Sequence, residues 1–314
     1  MKGLELAEKY YKEFGERMLN EKFRDLLPFV AVGLIGSGSE CYGYDDDISQ
    51  DHDFEPGFCI FIPGEDVVDS KIAFELERAY SKLPNEFLGY KRTAVNPVGG
   101  NRHGVIRTDE FIESKTGSRN GDLTLGQWFT VPEYSLSEVV NGAVFLDNYG
   151  ELTRVREKLK YFPEDIRLKK LAGNLLLMCQ SGQYNYSRCV SRGELGAAQL
   201  ALFEFVKSAT NSLFLLNKRY MPYYKWSFRS LREISKECNE LSDRLEFLIS
   251  EGNGDELFKK KTKIIDGICL AISNELKNQN LILFPSNEME QQAYIVNNNI
   301  NDNQIRNMHI LSAI

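Results

Sequence analysis

Phe29-Val30-Ala31-Val32-Gly33-Leu34-Ile35-Gly36-Ser37-Gly38-Ser39-Glu40, followed after an acidic loop by Asp51-His52-Asp53 and then Phe58-Cys59-Ile60-Phe61-Ile62, decides how the chain is read. Two short apolar runs bounded by glycine and proline read as buried strands. Between them lie small residues and a pair of carboxylates. Gly36 and Gly38 let backbone amides approach phosphate oxygens, and Ser37 and Ser39 add hydroxyl donors. Residues i and i+2 of an extended segment face one side, so Asp51 and Asp53 are predicted to point together with His52 turned away. Two such carboxylates suit magnesium, which prefers oxygen ligands and keeps positions open for phosphate. Gly-Ser-Gly-Ser alone also serves as a flexible turn, and Asp-x-Asp as a solvated loop. The strand on either side is what favours a nucleotide site.

Working outward, residues 1–20 have the spacing of an amphipathic helix, with Leu4, Ala7, Tyr11 and Phe14 on one side. Residues 36–50 read as loop, with Asp45, Asp46 and Asp47 exposed. Val68, Ile72, Leu76 and Tyr80 predict a helix within 66–83, ended by Pro84. Residues 93–103 are rich in Gly, Pro and Asn and read as loop. A third strand is predicted over 103–108, then a short helix ending near Gly117. Ala143 to Leu146 reads as a strand closed by the turn Asp147-Asn148-Tyr149-Gly150.

After that turn β-branched runs disappear and nearly every segment has helical period. Four helices are predicted, over 168–182, 193–218, 227–250 and 256–278. Leu200, Phe203, Phe205, Val206, Leu213 and Leu216 supply a broad apolar face suited to a bundle. From Pro285 on, Asn and Gln dominate, and a short terminal helix or partial disorder is expected. The layout is α+β: a first domain over 1–150 and an all-α helical bundle over 151–314.

With 314 residues, 42% of them apolar, each domain can bury its own core. A net charge of −7 and a pI near 5.3 do not make an electrostatic nucleic-acid binder, and no nucleic-acid partner is expected. The six cysteines include no Cys-x-x-Cys pair and read as free thiols in a reducing compartment. No apolar run approaches the roughly 20 residues that cross a bilayer. With no signal peptide in the reading, a cytoplasmic location without a membrane partner is expected.

At this point the residues resemble a family. Leu34-Ile35-Gly36-Ser37 with Asp51-His52-Asp53 is similar to the signature of the DNA polymerase β-like nucleotidyltransferase superfamily. More narrowly, the stretch from Gly36 to Phe54 resembles the domain-of-unknown-function family 4037 (DUF4037). The resemblance continues through Phe145 to Gly150, Tyr161 to Asp165, Gln183 to Tyr186 and Tyr223 to Trp226. It implies a nucleotidyltransferase fold in the first domain, a small mixed sheet with helices on one side. It also implies the helical second domain of aminoglycoside nucleotidyltransferases. Superfamily members usually carry an apolar residue where this chain has His52, which reads as a hydrogen-bonding orienter of its loop. They also usually draw a third carboxylate from a later strand. Asp109 is the candidate, although Asp109 and Glu110 equally suit the first turn of a helix, where acids favour the dipole.

The second domain is expected to complete the cleft. Arg188 and Lys225 are candidates for holding the triphosphate, Trp226 or a tyrosine for stacking, and Glu194 for the general base. The function expected is magnesium- or manganese-dependent transfer of a nucleoside monophosphate, with ATP as the expected donor, to a hydroxyl of a small molecule or protein. Asp51 and Asp53 would hold the metal, and Gly36, Ser37, Gly38 and Ser39 the nucleotide. The alternative is a regulatory module of the same fold that binds nucleotide without transferring it.

Overall fold

The computed structural model describes residues 1–49, 54–92 and 102–314. Asp51, His52 and Asp53 lie outside the described residues, as does most of the loop predicted over 93–103. Two compact units emerge: residues 1–127 with 131–160, and residues 128–130 with 161–314. The architecture is mixed α+β, with a small mixed sheet followed by C-terminal helices.

The first unit opens with α1 (Gly3–Tyr10), a π-helical turn (Tyr11–Gly15) and α2 (Glu16–Lys22). Strands β1 (Ala31–Leu34) and β2 (Cys59–Ile62) precede α3 (Ser70–Tyr80), whose first turn is capped by Asp69 accepting from the Ile72 amide. A two-stranded hairpin, β3 (Glu86–Phe87) and β4 (Tyr90–Lys91), leads on to β5 (Gly104–Arg107) and α4 (Thr108–Thr116). Then come α5 (Leu125–Thr130), α6 (Glu133–Val140), β6 (Ala143–Asp147) and α7 (Glu151–Lys158). The main sheet has the order β5-β2-β1-β6. β1 runs antiparallel to both β2 and β6, and β5 runs parallel to β2.

Period-two alternation explains why the strand runs are apolar throughout. Val30, Val32, Phe58, Ile60 and Ile62 pack on Tyr10, Tyr11, Leu19, Leu76 and Tyr80 from α1, the π turn, α2 and α3. The intervening Ala31, Cys59 and Phe61 pack on Phe111 of α4 and Leu152 of α7. Helices therefore cover both faces of the sheet, not one as expected. Asp45 also departs from expectation. It is buried, and its Oδ2 accepts the Gly3 amide at 2.9 Å, placing a carboxylate at the N-terminus of α1.

In the second unit α8 (Glu164–Met178) is buried on nearly every side and packs against α10 and α14, described below. A π-helical segment (Cys179–Asn185) and α9 (Tyr186–Ser191) lead to α10 (Leu195–Leu216). On α10 Phe205, Val206, Leu213 and Leu216 are buried as expected, whereas Leu200 and Phe203 are exposed. The single helix predicted over 227–250 is two, α11 (Tyr224–Arg232) and α12 (Lys236–Ser250), because Ser235 caps a new start by accepting the Cys238 amide at 3.1 Å. α13 (Asp255–Asn278) follows. The tail forms two helices, α14 (Met289–Asn298) and α15 (Asn303–Asn307). Lys169, fully buried, donates to Asn297 Oδ1 at 2.9 Å and the Met308 carbonyl at 2.7 Å, which pins this tail to α8. No helix among the described residues is long and apolar enough to cross a membrane.

Candidate functional site

β1 delivers the chain into Gly36-Ser37-Gly38-Ser39 at the sheet end where β2 and β5 begin, since Cys59 pairs with both Gly33 and Gly104. Gly36 and Gly38 have φ of +110° and +120°, conformations that L side chains rarely adopt. A Cβ on Gly38 would also collide with the Arg102 guanidinium and come within 2.6 Å of Glu40 Oε1. Asn141 fixes the start of the turn from both sides. Its Oδ1 accepts the Gly36 amide at 2.9 Å, and its Nδ2 donates to the Gly36 carbonyl at 2.8 Å. Among the described residues, the amides of Ser37, Gly38 and Ser39 donate to no protein acceptor. A glycine turn whose three amides bond no described acceptor suits an anion.

Two cations flank it. Lys115, in the last turn of α4, lies 2.5 Å from Glu138 Oε2 and 3.4 Å from Ser37 Oγ. Arg102 donates to the Ser37 carbonyl at 2.9 Å and pairs with Glu40, whose side chain is nearly buried. Glu138 comes from α6, and the end of that helix is fastened by Arg156 of α7. Arg156 Nη1 donates to the Val139 and Asn141 carbonyls, both at 2.9 Å, and Nη2 to the Val140 carbonyl at 3.0 Å. These carbonyls end α6 without intrahelical partners, so the guanidinium acts as its C-cap. Nearby, His103 Nδ1 lies 3.1 Å from Glu55 Oε1.

Burial, reinforced by Glu40, pushes the Cys41 thiol well up, and burial alone pushes Cys59 up to about 12. Burial likewise raises the Tyr42 phenol to about 12, and that hydroxyl sits 3.1 Å from Ser137 Oγ. All three groups stay protonated at neutral pH and offer neither a nucleophile nor a base there.

Asp109 does not join this site. β5 starts beside the glycine turn and runs away from it, so Asp109, at the head of α4, lies at the opposite end of the sheet. There it accepts the Glu110 amide at 2.9 Å and pairs with Arg119 at 3.1 Å. It also raises the pKa of Glu151, after burial itself and ahead of Asp147 and Asp66. In the second unit Arg188 lies over the Tyr184 ring at 4.2 Å, and Lys225 over the Trp226 ring at 5.0 Å. Both cations are exposed, as is Glu194, the residue before α10. Their recorded contacts are local, and no hydrogen bond or ion pair joins any of the three to another among the described residues.

Lys115, Glu138, Arg102 and Asn141 were not singled out from sequence. Lys115 comes from α4, Glu138 and Asn141 from α6 and its end, and Arg102 from the segment before β5, and each resembles an ordinary surface or turn residue where it stands. Only the positive φ values required by Gly36 and Gly38 had a local signature.

No curated protein and no solved structure matches the chain. One family does, over part of the length, and the glycine turn precedes the matched segment. Residues 128–227 match the family described as a domain of unknown function, DUF4037.

Proposed function

We propose that this chain transfers a nucleoside monophosphate from a nucleoside triphosphate, ATP first, to a hydroxyl acceptor. The observation that carries the reading is the glycine turn itself. Three amides with no acceptor among the described residues lie at the end of a central strand, with an ammonium and a guanidinium beside them. That arrangement suits the β- and γ-phosphates, which must be held still while the α-phosphorus reacts. In the reaction the acceptor oxygen bonds the α-phosphorus, the α–β anhydride bond breaks, the hydroxyl proton passes to a base and pyrophosphate leaves.

Magnesium, or manganese, would neutralise phosphate charge. Among the described residues no group of three or more His, Cys, Asp or Glu could hold a metal ion. The metal reading therefore stands on the donor chemistry of Asp51 and Asp53, two carboxylates at alternate positions just ahead of β2. The chain's own contribution is to grip the phosphates through Ser37, Gly38 and Ser39 and to fix that turn through Asn141. Arg188, Lys225 and Glu194, in the second unit, carry no part of this reading. Asp109 drops out of it.

Pyrophosphate release tests the proposal, measured with each of the four ribonucleoside triphosphates and magnesium against a panel of hydroxyl acceptors. Release by the wild type that falls at least about a hundredfold in Asp51→Ala and Asp53→Ala supports transfer. Triphosphate binding with no release for any acceptor makes the chain a regulatory nucleotide-binding module instead.

A further inference from the structure

Ser37 Oγ, Lys115 Nζ and Glu138 Oε2 form a closed triangle with sides of 3.4, 2.5 and 3.5 Å. They arrive from three elements: the turn after β1, the end of α4, and α6. Neither charged side chain is loose, because Lys115 is 20% exposed and Glu138 13%. A carboxylate oxygen that faces both an ammonium and a hydroxyl uses the donors that a phosphate oxygen would use. On the other flank Arg102 is engaged by Glu40 and by the Ser37 carbonyl. Both cations beside the anion-ready turn are thus neutralised from within the chain.

The two pairs differ in how readily a ligand could replace the carboxylate. Glu40 is nearly buried and lies where a Cβ on Gly38 would sit, so it is part of the turn's packing. Glu138 approaches from outside the turn, bonds Lys115 closely and touches Ser37 only at the limit of hydrogen-bond distance. A phosphate bringing more negative charge to the same donors would outcompete it.

We propose that Ser37 and Lys115 form a phosphate subsite, and that Glu138 is an internal stand-in which an incoming phosphate displaces. The choice of a triphosphate as the phosphate rests on the function proposed above. The subsite itself requires only an anion of phosphate chemistry. On binding, Lys115 exchanges one anionic partner for another and Glu138 is released to solvent, so no covalent step is involved.

The test titrates inorganic triphosphate, in EDTA and without nucleotide, into wild type, Glu138→Gln, Lys115→Ala and the double variant by calorimetry. Glu138→Gln should tighten binding by about fivefold or more, since a competing charge is removed from a partly buried cation. Lys115→Ala should weaken binding by a similar factor. In the Lys115→Ala background, Glu138→Gln should give no gain, because the effect passes through Lys115. Unchanged or weaker binding by Glu138→Gln, with a native circular dichroism spectrum, overturns the exchange. So does a gain that persists without Lys115, or no triphosphate binding by any of the four proteins. Glu138→Asp keeps the charge but draws it back, and should fall between wild type and Glu138→Gln if glutamine disturbs folding. Pyrophosphate release from ATP by the same proteins separates the two readings. Triphosphate behaving as described without turnover sustains the subsite and removes transfer. Turnover with Glu138→Gln binding unchanged removes the exchange and sustains transfer.

Discussion

Asn141 accepts from the Gly36 amide and donates to the Gly36 carbonyl, and that makes it the side chain on which the shape of the glycine turn depends. Asn141→Ala leaves a half-buried amide and carbonyl without partners and should cost about 1–2 kcal/mol of stability by urea unfolding. It should also weaken triphosphate binding, because the amides beyond Gly36 lose their fixed direction. At the far end of the sheet Glu151 carries strain of another kind. Burial first, then Asp109, Asp147 and Asp66, raise its pKa above the ordinary 4.5, while Arg154 opposes them. Its Oε2 is buried with no hydrogen-bond partner among the described residues. A carboxyl whose folded pKa is raised contributes stability that is full below the unfolded value and is lost as pH rises through the folded value. As pH rises through the folded value that contribution is lost, so Glu151→Gln should stabilise the protein more at higher pH, by up to ~1 kcal/mol. The gain should shrink as pH falls toward 4.5. Thermal unfolding at pH 7 and near pH 4 checks the sign, and equal gains at both would refute it.

Among the elements, α6 bears most on the site. It supplies Glu138 and, one residue past its end, Asn141, and its last carbonyls are closed by Arg156. Arg156→Ala should cost about 2–3 kcal/mol, since it leaves the α6 carbonyls unpaired around a vacated guanidinium. Arg156→Lys should recover part of that, and triphosphate affinity should follow the same order. Gly33 governs the neighbouring strand. A Cβ there would lie 2.5 Å from the Ala143 carbonyl, and the β1–β6 register shifts between Val32 and Gly33. The strands were legible in the sequence because both faces are covered, so their apolar runs are continuous between glycines. α5, α6 and α7 were not legible. They are short, and what ends or starts them is a capping box at Thr124 or a guanidinium brought in by tertiary contact. The same limit explains Asp109. A residue after a strand can lie at either end of a sheet, and only the parallel β2–β5 pairing shows which.

At the scale of the whole molecule, the α/β unit was readable as the one with β-branched runs, and the second unit as the one with helical period. The division into residues 1–127 with 131–160, and 128–130 with 161–314, assigns the glycine turn, Lys115, Glu138 and Arg102 to a single unit. Within that unit the turn was legible from its glycines. Its charged partners were not, because tertiary folding alone brings residues so far apart in sequence around Ser37. The central claim is that this turn and the Asp51–Asp53 pair together hold a magnesium-bound triphosphate. Calorimetric titration of α,β-methylene-ATP, with and without magnesium, into wild type and the Asp51→Asn/Asp53→Asn double variant tests it most directly. The account predicts binding by the wild type that strengthens with magnesium, and a magnesium effect at least about tenfold smaller in the variant. Binding of equal strength with or without magnesium in both proteins, or no binding by the wild type, would contradict it.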